Sequence, residues 1–157
     1  GEDQDKFSYR MLLANDIKLY DIAENAFRAL LDLQPNRLIV QIYLVEAMIG
    51  LGKFDEAEAC LKKLPLNKQY AGLIHKLLGD IYYQRGQFQI AVEEYRATVL
   101  GVPELAKQFS ELIHDADDIQ SDDWENLAEI YQPSLAAVLT DQTDRLRELR
   151  ARRRNQR

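Results

Sequence analysis

The chain has 157 residues, 46% hydrophobic and 29% charged, with a net charge of −6; this composition excludes a disordered or membrane-embedded chain and allows one domain with a sizeable core. The acidity is uneven: residues 1–140 hold 13 basic and 23 acidic residues, net −10, while residues 141–157 hold seven arginines against three acids, net +4. An acidic body argues against broad nucleic-acid binding, and leaves the arginine-rich end to be weighed separately.

Taken in chain order, the elements repeat with a period of 34 residues. A loose helix around Met11–Ala14 is followed by a stronger one carrying Tyr20, Ala23, Phe27, Leu30 and Leu33 and ending at Pro35. The next pair repeats the pattern with Leu44, Gly52, Phe54, Ala57 and Leu61, although Pro65 shortens its second helix and Gln69 stands in the proline register. The third pair is the fullest: Leu78, Gly79, Tyr82, Gly86, Phe88, Ala91, Tyr95 and Pro103. Each class has a mechanical reason. Alanine at 23, 57 and 91 allows two backbones to approach. Gly52 and Gly86 supply the positive-φ residue that ends a helix, with Lys18 the exception in the first copy. Proline stops the second helix.

Beyond Pro103 the register fails, but helical spacing continues in Leu105, Phe109, Leu112, Ile113 and Ala116, expected as a helix that caps the last exposed face. An acidic break at 115–123 follows. Asp122 is expected to cap a short helix with Glu125, burying Trp124, Leu127, Ile130 and Tyr131. Pro133 suits the start of a final helix lined by Leu135, Val138, Leu139, Leu146 and Leu149.

The pattern resembles the tetratricopeptide repeat. The resemblance covers about two-thirds of the chain and implies an all-α, solenoid-like fold: repeats at about 4–37, 38–71 and 72–105, then a capping helix and a C-terminal helical extension over 106–157 within the same domain. It also implies a non-catalytic adaptor or chaperone-like subunit that binds another protein on the concave face formed by the first helix of each pair. Mapped by register, that face carries Ser8, Leu12 and Asn15, then Ile39, Ile42, Tyr43 and Glu46, then Leu73, Lys76, Asp80 and Tyr83. The Lys/Asn clamp of one subclass, which grips a terminal carboxylate, is absent: its positions carry Ser8, Leu12, Tyr43, Leu73 and Leu77. The expected groove residues are therefore Ile39, Ile42, Tyr43, Glu46, Lys76, Asp80 and Tyr83, an apolar trough with acidic rims for a peptide or amphipathic helix. The alternative is that these side chains pack helix to helix, or accept the chain's own last helix.

Other chemistry has fewer parts. Arg150, Arg152, Arg153 and Arg154 form an electrostatic tail that suits RNA, anionic lipid or the acidic body of a neighbouring copy, although no aromatic platform for stacking bases lies beside them. A self-assembling subunit of a larger complex is the runner-up reading. The acidic break lacks the central glycine and terminal glutamate of a calcium loop, with Ile119 and Asn126 at ligand places, so no metal is expected. His75 and His114 belong to no ligand-spaced cluster, and Cys60 reads as a small packing residue. No cofactor motif is present. One cysteine excludes an internal disulfide and suits a reducing compartment, so a cytoplasmic location is expected.

Overall fold

The computed structural model describes residues 17–66, 70–101, 123–133 and 135. Its helices are α1 (Ile17–Leu33), α2 (Leu38–Gly50), α3 (Phe54–Lys63), α4 (Ala71–Gln84) and α5 (Phe88–Gly101), followed by α6 over residues 124–133. No strand occurs among the described residues, and the fold is all-α, with the element plan of an α-solenoid. The chain divides into two compact units, Gly1–Leu66 and Asn67–Arg157. The expected helices at Met11–Ala14 and Leu105–Ala116, and the residues beyond Leu135, lie outside the described residues.

The 34-residue ladder is a ladder of contacts. Ala23, Ala57 and Ala91 are all fully buried, as are Phe27, Leu61 and Tyr95 one turn after each of them. Both hairpin glycines sit at the left-handed φ that only glycine adopts freely, +77° at Gly52 and +75° at Gly86. Around them the backbone closes the same paired cap. Gly52 N–H donates to Ile49 O and Lys53 N–H to Met48 O; Gly86 N–H donates to Tyr83 O and Gln87 N–H to Tyr82 O, at 2.9–3.0 Å. Nothing lies within 4 Å of a Cβ built at Gly86, so the conformation alone opposes substitution. Gly86→Ala is expected to cost about 1 kcal/mol, with Gly86→Asn milder, in urea melts followed by circular dichroism.

In the first unit α1 and α2 run antiparallel, as Phe27 meets Tyr43 at a 5.7 Å ring separation and Tyr20 lies on Gly50. Helix α2 is apolar on more than one side: Val40, Ile42, Tyr43, Leu44, Val45, Ala47 and Met48 are all buried. A polar ladder ties α1 to the α2–α3 turn. Lys53 Nζ donates to both oxygens of the buried Glu24 carboxylate (2.7 and 3.0 Å), and Arg28 links Glu24 to Glu56. Removing Lys53 leaves a buried acid with only Arg28 at 3.6 Å. Lys53→Ala should therefore cost about 1–2 kcal/mol, a figure kept low because the ammonium is 44% exposed. Glu56→Ala removes only an exposed partner, and should cost less than about 1 kcal/mol. Equal losses in the two variants would contradict this ranking.

In the second unit α4 and α5 form an antiparallel pair. Thr98 Oγ1 donates to Gly72 O (3.0 Å), His75 Nδ1 to Glu94 Oε2 (2.8 Å), and Tyr95 Oη to Asp80 Oδ1 (2.7 Å). Helix α6 covers this pair through one cluster, in which Leu127, Ala128, Tyr131 and Leu135 pack with Ala91, Val92, Tyr95 and Val99. Its cap is Asp123 rather than Asp122: the Asp123 carboxylate accepts the Asn126 N–H three residues on, the N-cap geometry. Pro133, expected to open a final helix, instead continues the backbone of 124–132 as helix.

The direction of α6 follows from its contacts. Phe88 and Trp124 line one cleft, and Tyr95 stacks on Tyr131 (6.3 Å between rings). Both pairs are offset by the same 36 positions, so α6 runs parallel to α5. Against α4 the order reverses, with Asp80 meeting Gln132 while Tyr83 lies beside Glu129 and Glu125. Short helix–helix turns make chain neighbours antiparallel. In a repeat of antiparallel pairs, helices one period apart therefore run parallel, and the 36-position offset between α5 and α6 is close to the 34-residue period.

Candidate functional site

On α2 the four expected groove residues divide by depth. Ile39 and Glu46 are half-buried, but Ile42 is 0% and Tyr43 4% exposed. Ile42 and Tyr43 are thus corrected from groove to core, because the Tyr43 ring is taken up by Phe27 of α1. Truncating Tyr43 removes core volume, which makes Tyr43→Ala unsuitable as a probe of binding.

On α4 the residues Lys76, Asp80 and Tyr83 do lie together, one turn apart, on the side that faces α6. Asp80 is not an exposed rim acid: it is 8% exposed and fully engaged. Lys76 Nζ pairs with Oδ2, while Tyr95 Oη and Gln132 Nε2 both donate to Oδ1, at 2.7 and 3.3 Å. Tyr83 is half-buried, meets Phe88 edge-on at 5.5 Å, and packs against the cluster that α6 closes. Its hydroxyl is pushed above the ordinary tyrosine range by burial and then by Glu129 and Glu125. Tyr95, Gln132, Glu125 and Glu129 join this site without having been expected there from sequence, where Glu125 stood as a capping partner. Tyr95 carried a repeat signature that marked it as scaffold, and nothing local marks Gln132.

Burial, followed by the Asp80 carboxylate, pushes the Tyr95 hydroxyl far above the ordinary range. The folded pKa thus exceeds the unfolded value of about 10. The associated stability is fully present below about pH 10, and is lost above it by up to about 1.4 kcal/mol per pH unit. Urea titrations between about pH 9 and about pH 11 should show the fall, and Tyr95→Phe should flatten it. An unchanged slope in Tyr95→Phe would assign the loss to other tyrosines.

The arrangement suits holding a helix, and its groups are committed to packing. His75 is bonded to Glu94. Burial, then Glu56, pushes the half-buried Cys60 thiol up, away from the reactive thiolate. Among the described residues no three His, Cys, Asp or Glu side chains gather as a metal site, and no helix is long and apolar enough to cross a membrane. Arg150, Arg152, Arg153 and Arg154, as well as His114, lie outside the described residues.

A family model described as tetratricopeptide repeat matches residues 18–81, from α1 into α4. Repeats of this family generally mediate protein–protein interaction and are generally non-catalytic. No curated protein and no solved structure matches the chain.

Proposed function

We propose, from the premise that this chain is a tetratricopeptide-repeat-containing protein, that it works as a non-catalytic module gripping an amphipathic helix or peptide of another protein. The observation that carries the reading is that α4 and α5 already hold one amphipathic helix, α6, by an apolar cluster and a polar contact at Asp80. In this reading Lys76, Asp80 and Tyr83 serve the second unit's face. On the first unit Ile39 and Glu46 make contact, while Ile42 and Tyr43 support them from beneath.

The test is site-specific photocrosslinking in the native source, with the reactive residue placed at Tyr83 or Ile39 and, as control, at the exposed Leu33. The same protein captured at 83 or 39 but not at 33 supports the module. Capture only from Leu33 refutes the proposed faces. Capture of a second copy of this chain would shift the reading to a self-assembling subunit.

A further inference from the structure

We infer that the cleft where α5 and α6 begin takes up the guanidinium of an arginine carried by the bound partner segment. This rests on the binding-module reading and gives that partner a required residue.

The cleft lies between residues 86–90, at the start of α5, and residues 123–125, at the start of α6. It holds about 530 Å³, within the roughly 300–1,000 Å³ usual for ligand clefts. Phe88 and Trp124 line it from the two helices, and both rings are only half-buried. Tyr83 meets Phe88 edge-on at 5.5 Å, which extends the aromatic wall. The faces of such rings carry negative π charge and attract a cation.

Charge decides the sign of the occupant. Among the described lining residues the ionisable side chains are Asp123 and Glu125, both acidic and both exposed. Asp123 accepts the Asn126 N–H at 3.4 Å, a contact that leaves its charge in place. Two helix starts oppose these acids, each equivalent to roughly half a positive charge. Two carboxylates against about one such unit leave the lining net negative. Arg85 and Arg96 lie outside that lining, each against a ring, over Tyr82 at 6.0 Å and over Trp124 at 5.9 Å.

The Arg96 contact also shows which cation suits the site, since the Trp124 indole already holds a guanidinium. A guanidinium is planar, stacks on rings and is more weakly hydrated than an ammonium, so it loses less on entering an aromatic cleft. Gln87 and Gln89 add amide oxygens to the lining as acceptors for its N–H groups. Ile90, 39% exposed, offers apolar surface to the methylene stem.

The test titrates Nα-acetyl-arginine amide into the full chain, followed by proton–nitrogen correlation spectra. Trp124 is the single tryptophan, so its indole N–H gives one resonance at the cleft. That resonance should shift saturably. The citrulline analogue, close in shape but uncharged, should bind at least about tenfold more weakly. Gln89→Lys, a change at an exposed position that adds positive charge to the lining, should weaken arginine binding at least about fivefold. Glu125→Gln should weaken it by a smaller factor. Equal affinity for the arginine and citrulline probes makes the cleft a neutral pocket and overturns the inference. A saturable shift with acetyl-glutamate amide marks an anion site at the helix starts and overturns it too, as does no saturable shift with any probe. If the combined variant Arg150→Gln, Arg152→Gln, Arg153→Gln and Arg154→Gln binds the arginine probe at least about tenfold more tightly, the chain's own tail is the occupant and the partner assignment falls. Each of these failures leaves the crosslinking at Tyr83 and Ile39 to decide the binding-module reading by itself.

Discussion

Asp80→Ala is expected to destabilise the second unit by about 3–5 kcal/mol, the cost of leaving a largely buried cation without its partner. The lysine side chain concerned, Lys76, is only 15% exposed, and Asp80 also accepts from Tyr95 and Gln132. Removing the carboxylate leaves an ammonium, a phenol and an amide facing a site with no acceptor. Asp80→Asn keeps the shape and one acceptor oxygen, so it should recover part of the loss. Asp80→Ala with Lys76→Met removes both charges and should be more stable than Asp80→Ala alone. Urea unfolding followed by circular dichroism ranks the four proteins. If the double variant is no better than the single, the loss does not come from a stranded charge.

The same residue shows how far the sequence could be read. The repeat was legible because its joints demand particular residues: positive φ at Gly52 and Gly86, close backbone approach at Ala23, Ala57 and Ala91. Those demands are local, and spacing exposes them. The inner face of α6 was legible as well, with Leu127 and Tyr131 buried as expected and Trp124 and Ile130 partly so. Its direction was not. An amphipathic stripe has the same period whichever way the helix runs, so only the contacts from Tyr131 to Tyr95 and from Gln132 to Asp80 show that α6 runs parallel to α5 and antiparallel to α4.

Depth was also hidden. Register placed Ile42 and Tyr43 on a groove, but α2 is apolar on more than one side, and no polar face marks which side meets water. The fate of Asp80 was set by Lys76 one turn before it and by Tyr95 on the next helix, with Gln132, 52 residues away in sequence, as a third donor. A charged residue at a groove position reads as an exposed rim until its distant partner is known. The site therefore changed character, from a row of presented side chains to a seat whose polar groups are already paired.

Gly79→Val should cost about 3 kcal/mol or more, at the upper end of what overpacking a core costs. A Cβ at Gly79 would lie 2.5 Å from Tyr95 Cε1 and 2.7 Å from Cδ1, well inside contact distance. The ring cannot yield easily. Its hydroxyl is held by Asp80, its face is stacked on Tyr131, and the side chain is fully buried. Gly79→Ala meets the same ring but gains up to about 1 kcal/mol of helix propensity, so its net loss should be smaller. That gain lets the two explanations be separated. If Gly79 were only a tolerated weak point in α4, alanine would stabilise the helix. If the glycine exists to admit Tyr95, alanine destabilises, and pairing it with Tyr95→Leu gives a loss smaller than the sum of the two singles. Thermal melts of the single and double variants measure that coupling. Strict additivity would mean that the close approach of Gly79 and Tyr95 does not limit stability. A positive coupling would place the tightest joint of the second unit beneath the seat of α6, where a shift of Tyr95 would also disturb Asp80 and Tyr131.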